Sequence, residues 1–507
     1  MAWHRPSAQV LPGLALGHRR SSRATDHGTS RSVFRLWCCF AAAGAALACS
    51  KAQTYAQHCA APRPGTNDVQ GTATDEKRWL RSWTNGLYLW YDEVSYGNPD
   101  DAAQSVLDYF NTLRTTALTA SGKPKDQFHF TYSTADWEAL SQSGVQAGYG
   151  VQWVVVHPTP PREVVAAYVE VSSPAHTANI ARGATVLSVD GEDCVNGSDV
   201  DTINAGLFPS GPNESHTIVF QNVGGPTTSA TLTSANVTET PVRNVESIPT
   251  ADGSAVGYVL FNDHIATAEA ELVSAIETLK SEHVSDLVLD IRYNGGGILD
   301  LASELAYMIA GPTATGGKTF ERTVFNNKYP NSNPITGGQV VTGFHNVTQA
   351  GQALPYLGLR RLYVLTQAST CSASESIMNS LRGVDVQVIQ VGGTTCGKPY
   401  GFYPQDNCGT TYFSIEFQGV NEKGFGDYAD GFTPGGAGAA GLPGCPVADD
   451  FTHELGDINE SMLSAALEYR ASGNCPSATG RSLAQLRPAA SGIAIKPPWL
   501  ENRIMRR

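Results

Sequence analysis

The sequence predicts an α/β protein: a helix-covered sheet joined to a smaller β-rich domain and an N-terminal helical region. Three patterns predict it. From Ala255 onward, buried-strand runs alternate with helical runs. Between residues 145 and 240, short β-rich runs follow one another. From Asp75 to Leu118, apolar residues recur at helical spacing. The chain has 507 residues, room for two or three domains at about 150 each. Hydrophobic residues make up 41%, enough for real cores, and charged residues 16% against a usual share of about 25%. That composition excludes a disordered chain. A formal net charge of −13 argues against a nucleic-acid binder, which needs a basic face.

In chain order, residues 1–49 read as an export segment. A basic, Ser-rich stretch precedes the apolar run Leu36 to Ala48, which is too short to span a membrane comfortably. Ala46-Leu47-Ala48-Cys49 loosely matches a lipoprotein cleavage box, so a lipid on Cys49 could tether the protein to a membrane. Residues 50–74 read as a linker. Residues 75–140 form the helical region, with Trp79, Trp83, Leu87 and Trp90 on one face. Residues 141–242 form the β-rich domain, with strands at Val151–His157, Val164–Val171 and Thr185–Val189. Residues 243–475 carry the α/β domain, and 476–507 form a tail without recognisable chemistry.

Ten cysteines suit an oxidising compartment. Three lie in the export segment, which leaves seven. Cys396–Cys408 and Cys445–Cys475 are local candidate pairs, though spacing alone does not fix connectivity. No pair has the CxxC spacing of a zinc site, so no metal is expected.

Three segments of the α/β domain carry chemistry. Asp290-Ile291-Arg292-Tyr293-Asn294-Gly295-Gly296-Gly297 follows a strand and opens a helix. Its amides can face an anion, either a phosphate or the oxyanion of an attacked carbonyl. It lacks the GxGxxG and Walker patterns of nucleotide sites, and it can equally be a tight turn. Thr370-Cys371-Ser372-Ala373-Ser374-Glu375 lies at a strand–helix junction, where a serine hydroxyl is presented. Ser372 with Glu375 also fits a capping box. Thr394-Thr395-Cys396-Gly397-Lys398 follows the next strand. A lysine there can serve a serine as general base if burial brings its pKa down from about 10.4.

Taken together and in this order, the three segments resemble the S41 peptidases, the C-terminal processing or tail-specific serine peptidases. The likeness covers roughly residues 75–435. It implies a crotonase/ClpP-like catalytic core with an inserted PDZ domain. It implies Ser372 as nucleophile, Lys398 as general base, and the amides of Ala373 and Gly296 as oxyanion donors. The β-rich stretch resembles a PDZ domain, with Gly148, Tyr149 and Gly150 as the loop that captures a peptide carboxylate. Protein or peptide substrates, engaged through their C-termini, and no cofactor follow from the same likeness, as does a periplasmic or envelope location.

Departures from the family pattern are visible. Phe402 stands where a glutamine usually helps to orient the lysine, Gly295 replaces a common proline, and Cys396 replaces an aromatic. A branch of the family takes its base from a histidine, for which His129 and His264 are the candidates. The alternatives to a serine endopeptidase are a catalytically degenerate, PDZ-type peptide-binding protein and, more distantly, acyl-CoA chemistry on the same core.

Overall fold

A computed structural model describes residues 54–476 and a two-residue strand at Arg503–Ile504. The export segment, Cys49 and most of the tail lie outside the described residues. Among the described residues, no helix is long and apolar enough to cross a membrane.

The expected linker is pinned rather than free. His58–Cys59 pairs in parallel with Val69–Gln70, Arg63 is ion-paired with Asp68, and Cys59 is disulfide-bonded to Cys408. Helix α1 (Ala73–Leu87) follows, started by Thr72, whose side chain takes the Asp75 amide. Trp79 and Trp83 stack at 5.5 Å. With α2 (Val106–Thr112) they bury Phe110, Tyr109 and Tyr88, and they share this core with Tyr400, Tyr412 and Cys371 of the α/β domain.

Next comes an antiparallel sheet of β1 (Val151–His157), β2 (Glu163–Val169), β3 (Thr185–Val189), β4 (Ser215–Gln221) and β5 (Thr227–Thr233). Its order is β5-β4-β3-β2-β1, so β1 is an edge. Val164, Val186, Ile218 and Phe220 fill its core.

The main sheet has the order β6-β7-β8-β9-β10-β11. These strands are Val242–Pro249, Ala255–Phe261, Asp286–Asp290, Arg361–Thr366, Gln387–Gly392 and Gly444–Pro446. β6 is antiparallel and the other neighbours are parallel. Both faces are covered, and so the strands are nearly continuous apolar runs. Leu287, Leu289, Leu362, Val364 and Val388 face α3 (Ala268–Ser281), α4 (Leu299–Thr315) and α5 (Ala373–Gly383). Val288, Tyr363, Leu365, Ile389 and Val391 face α6 (Ser461–Ser472), whose Met462, Leu463 and Ala466 pack on them.

The disulfides differ from the expectation at one pair. Cys445–Cys475 forms as expected. Cys396–Cys408 does not: Cys396 is bonded to Cys371, and Cys408, at a tight turn with φ +54°, is bonded to Cys59. The loop after β10 returns over the start of α5, whereas the hairpin that follows reaches the N-terminal segment. Cys194 keeps a buried thiol, pushed up to about 11 by burial.

Candidate active site

Strand register brings the three chemical segments together. Asp290 lies opposite Leu365, and Leu365 opposite Val391. The carboxyl ends of β8, β9 and β10 therefore share one edge of the sheet, where open parallel sheets bind ligands. The loops that leave these ends are the Gly-rich, serine and lysine segments.

Asn294 organises the first loop. Its Nδ2 donates to Phe261 O at 2.9 Å, while its Oδ1 lies 2.9 Å from His264 Nδ1 and accepts the Gly296 amide at 2.9 Å. Gly296 has φ +97° and Gly297 φ +142°, and a Cβ on Gly297 would lie 2.5 Å from His264 O. Only glycine suits that approach. The Arg503–Ile504 strand pairs in parallel with Gly297–Ile298.

The second loop is latched to the first. Thr370 Oγ1 donates to Ile291 O at 2.9 Å, and Cys371 N and Ser374 Oγ both donate to Asn294 O at 3.1 Å. Ser372 has φ +59° and ψ −114°, a conformation costing a non-glycine residue about 1–3 kcal/mol. Its side chain is buried, and its Oγ makes no hydrogen bond among the described residues. Ala373 opens α5, so its amide is among the first-turn N–H groups that a helix cannot satisfy internally.

The third loop closes onto the second, with Cys396 N donating to Thr370 O at 3.0 Å. Gly397, at φ +88°, is pressed against the segment 429–431, and a Cβ there would meet Ala429 O at 2.3 Å. Lys398 is fully buried, with Nζ 4.4 Å from the ring centre of Phe402 and 4.6 Å from that of Phe128.

Glu375 joins the serine and lysine segments. One carboxylate oxygen accepts the Ser372 amide at 2.9 Å and the Lys398 amide at 2.8 Å. The other accepts the Gly397 amide at 3.0 Å and the Thr395 hydroxyl. Burial pushes the Glu375 carboxyl above its usual range, and these hydrogen bonds pull it back down. The Glu375 contact to the Ser372 amide, expected from the capping-box pattern, is thus part of a wider role that Glu375 plays across the site. Glu375 lies close to the sulfurs of Cys371 and Cys396, a donor set a metal could use, but the disulfide occupies both thiols.

The two histidines sit elsewhere in this framework. His129 is stacked 3.9 Å from Phe110 and lies 2.9 Å from Phe110 O. Burial lowers its pKa against the pull of Asp126. His264 supports the Gly-rich loop through Asn294. In the β-rich domain, Tyr149 buries its ring in the core, and Gly150, at φ +70°, packs on Ser173, where a Cβ would clash at 2.3 Å. The Gly148–Gly150 turn leads directly into edge strand β1. The Gly- and Asp-rich segment 424–431 contributes Asp427, Tyr428 and Asp430 to a cavity of about 370 Å³ beside Tyr400.

Asn294, Thr395, Phe128 and Phe402 were not legible as site residues. Asn294 and Thr395 act through hydrogen bonds across loops, and Phe128 arrives from a distant segment. The missing glutamine was the one signal that pointed to Phe402.

The fold is α/β, with Ser372 and Lys398 on loops that Glu375 joins at the carboxyl edge of the sheet. Residues 255–402 match the model of peptidase family S41. It is 24% identical over 265 residues to the carboxyl-terminal-processing protease of Picosynechococcus sp., a match covering 51% of this chain and 56% of that relative's length. The chain thus aligns with little more than half of the curated relative. A crystal structure assigned to the S41 proteases, from Bacteroides fragilis NCTC 9343, shares the fold. Its TM-score is 0.59 at 21% identity, covering 78% of this chain and 97% of that one.

Proposed function

We propose that this protein is a serine endopeptidase that cleaves protein or peptide substrates through an acyl-enzyme. The observation that carries the reading is Ser372: a strained, buried serine at a strand–helix junction, its hydroxyl uncommitted, tied through Glu375 to the lysine loop. In this reading Ser372 Oγ attacks the peptide carbonyl. Lys398 takes the hydroxyl proton and later gives it to the leaving amine. The Ala373 amide and a Gly-rich-loop amide meet the oxyanion. Gly296 can serve only if its N–H turns from Asn294 Oδ1, so substrate binding has to break that bond.

The antiparallel sheet is read as the PDZ-type module and the main sheet as the crotonase/ClpP-like core. The Gly148-Tyr149-Gly150 turn, opening onto edge strand β1, would take a substrate C-terminus by strand addition. Three disulfides among the described residues support work in an oxidising envelope compartment.

The occupied Gly296 amide and Phe402 in place of glutamine favour one rival, a peptide-binding protein without turnover. Wild type, Ser372→Ala and Lys398→Ala assayed on an unfolded protein substrate separate the two. The peptidase reading expects cleavage by wild type and none by either variant. Peptide binding without cleavage or fluorophosphonate labelling would give the rival reading the case.

A further inference from the structure

We infer that the Cys371–Cys396 disulfide is a positioning device for the reaction, setting the serine loop against the lysine loop; this rests on the peptidase reading above. Of the three disulfides among the described residues, two staple the periphery. Cys59–Cys408 ties the N-terminal segment to a hairpin, and Cys445–Cys475 ties the segment after α6 to β11. The third is different in placement. Cys371 immediately precedes Ser372, and Cys396 lies two residues before Lys398.

The bond holds the Cα atoms of the two cysteines 5.2 Å apart, across a 25-residue separation. That separation contains all of α5 and β10, so the loops meet at the site only through contacts made there. Those contacts are the Cys396 amide on Thr370 O and the Glu375 carboxylate shared by both segments. Hydrogen bonds of this kind can exchange with water, whereas the disulfide cannot. The N-terminal aromatic core, with Trp83 and Phe110, packs in the same cluster as both cysteines and covers the bond. A reactive pair misplaced by about 1 Å can lose about 100-fold in rate, so a covalent tie one and two residues from the reacting groups bears on turnover.

The first test is peptide mapping of the non-reduced full chain. A linked peptide containing Cys371 and Cys396 is expected, and alkylatable free thiols at both positions would overturn the inference. The second compares Cys371→Ala/Cys396→Ala with Cys445→Ala/Cys475→Ala, reading kcat, KM, the pH–rate profile and the fluorophosphonate labelling rate. The central pair is expected to lose about 10- to 100-fold in kcat and labelling, with KM within about twofold and a displaced pH profile. The peripheral pair is expected to lose thermal stability and keep the wild-type profile.

If the central variant does not fold, mild dithiothreitol treatment and reoxidation of a Cys59→Ala/Cys408→Ala/Cys445→Ala/Cys475→Ala protein, which keeps the central bond and lacks the two peripheral ones, gives the same readout reversibly. Unchanged kcat and pH profile without the central bond, in a wild type that cleaves, would overturn this inference alone. A wild type that neither cleaves nor labels would overturn the peptidase reading beneath it.

Discussion

Glu375 accepts the main-chain amides of Ser372 and Lys398 on a single carboxylate oxygen, at 2.9 and 2.8 Å. One buried side chain thereby fixes the backbone on both sides of the proposed dyad. The geometry needs a carboxylate rather than a shorter or neutral group, since four donors converge on it.

Glu375→Ala leaves those donors buried without an acceptor. Each unsatisfied buried donor costs about 1–3 kcal/mol, so stability should fall by at least that much and activity should be lost. Glu375→Gln replaces one acceptor oxygen with an NH2 group facing amides, and it should fall between wild type and alanine in both readouts. Urea unfolding and turnover of the two variants check this; equal behaviour of alanine and wild type would remove Glu375 from the account.

Arg182 joins the β-rich domain to the main sheet. Its guanidinium donates to Ala167 O at 2.6 Å, to Tyr293 Oη at 2.8 Å and to Asp449 Oδ1 at 2.9 Å. Arg292 meets the same Asp449 together with Asp290 and Glu460, and Asp290, Arg292 and Glu460 are buried. Arg182→Ala strips one partner from a buried ionic network, and it should cost about 3–5 kcal/mol in unfolding free energy. Arg243→Ala, on the partly open rim beside Tyr168, is the comparison and should cost less. Equal losses in chemical denaturation would contradict the network's importance.

Glu416 gives a pH signature. Burial raises its carboxyl from 4.5 to about 8, against one hydrogen bond from the Tyr403 amide. The folded state then keeps a proton that the unfolded chain releases. Its contribution to stability is full below pH 4.5 and is lost as the pH rises toward 8, at up to about 1.4 kcal/mol per pH unit. Unfolding free energies at several pH values should decline across that window in wild type, and Glu416→Gln should flatten the decline. An unchanged slope in Glu416→Gln would assign the pH dependence to other groups.

Much of the framework was legible because period and composition speak locally. The runs at Val151–His157, Thr185–Val189 and Asp286–Asp290 are strands, as their β-branched and apolar content indicates. Cys396–Cys408 misled because proximity in sequence stood in for proximity in space, and Cys371 reaches Cys396 only through the α5–β10 crossover. The segment 50–74 looked like a linker from the Pro, Gly and Thr content of its second half, yet a disulfide at Cys59 and a short strand pair hold it. In the site, Ser372 and Lys398 belong to short motifs that can be read directly. The Asn294–Gly296 bond and the Phe128–Phe402 enclosure of Lys398 depend on tertiary contacts that no local pattern encodes.

Ser372 is proposed as a nucleophile served by Lys398. The most direct test is mass-spectrometric mapping of a fluorophosphonate adduct on wild type, Ser372→Ala and Lys398→Ala, with unfolding curves confirming that each is folded. The account predicts an adduct on Ser372 in wild type, none in Ser372→Ala, and labelling slowed by about 100-fold or more in Lys398→Ala. An adduct elsewhere, or labelling of Ser372 at an undiminished rate without Lys398, would contradict it.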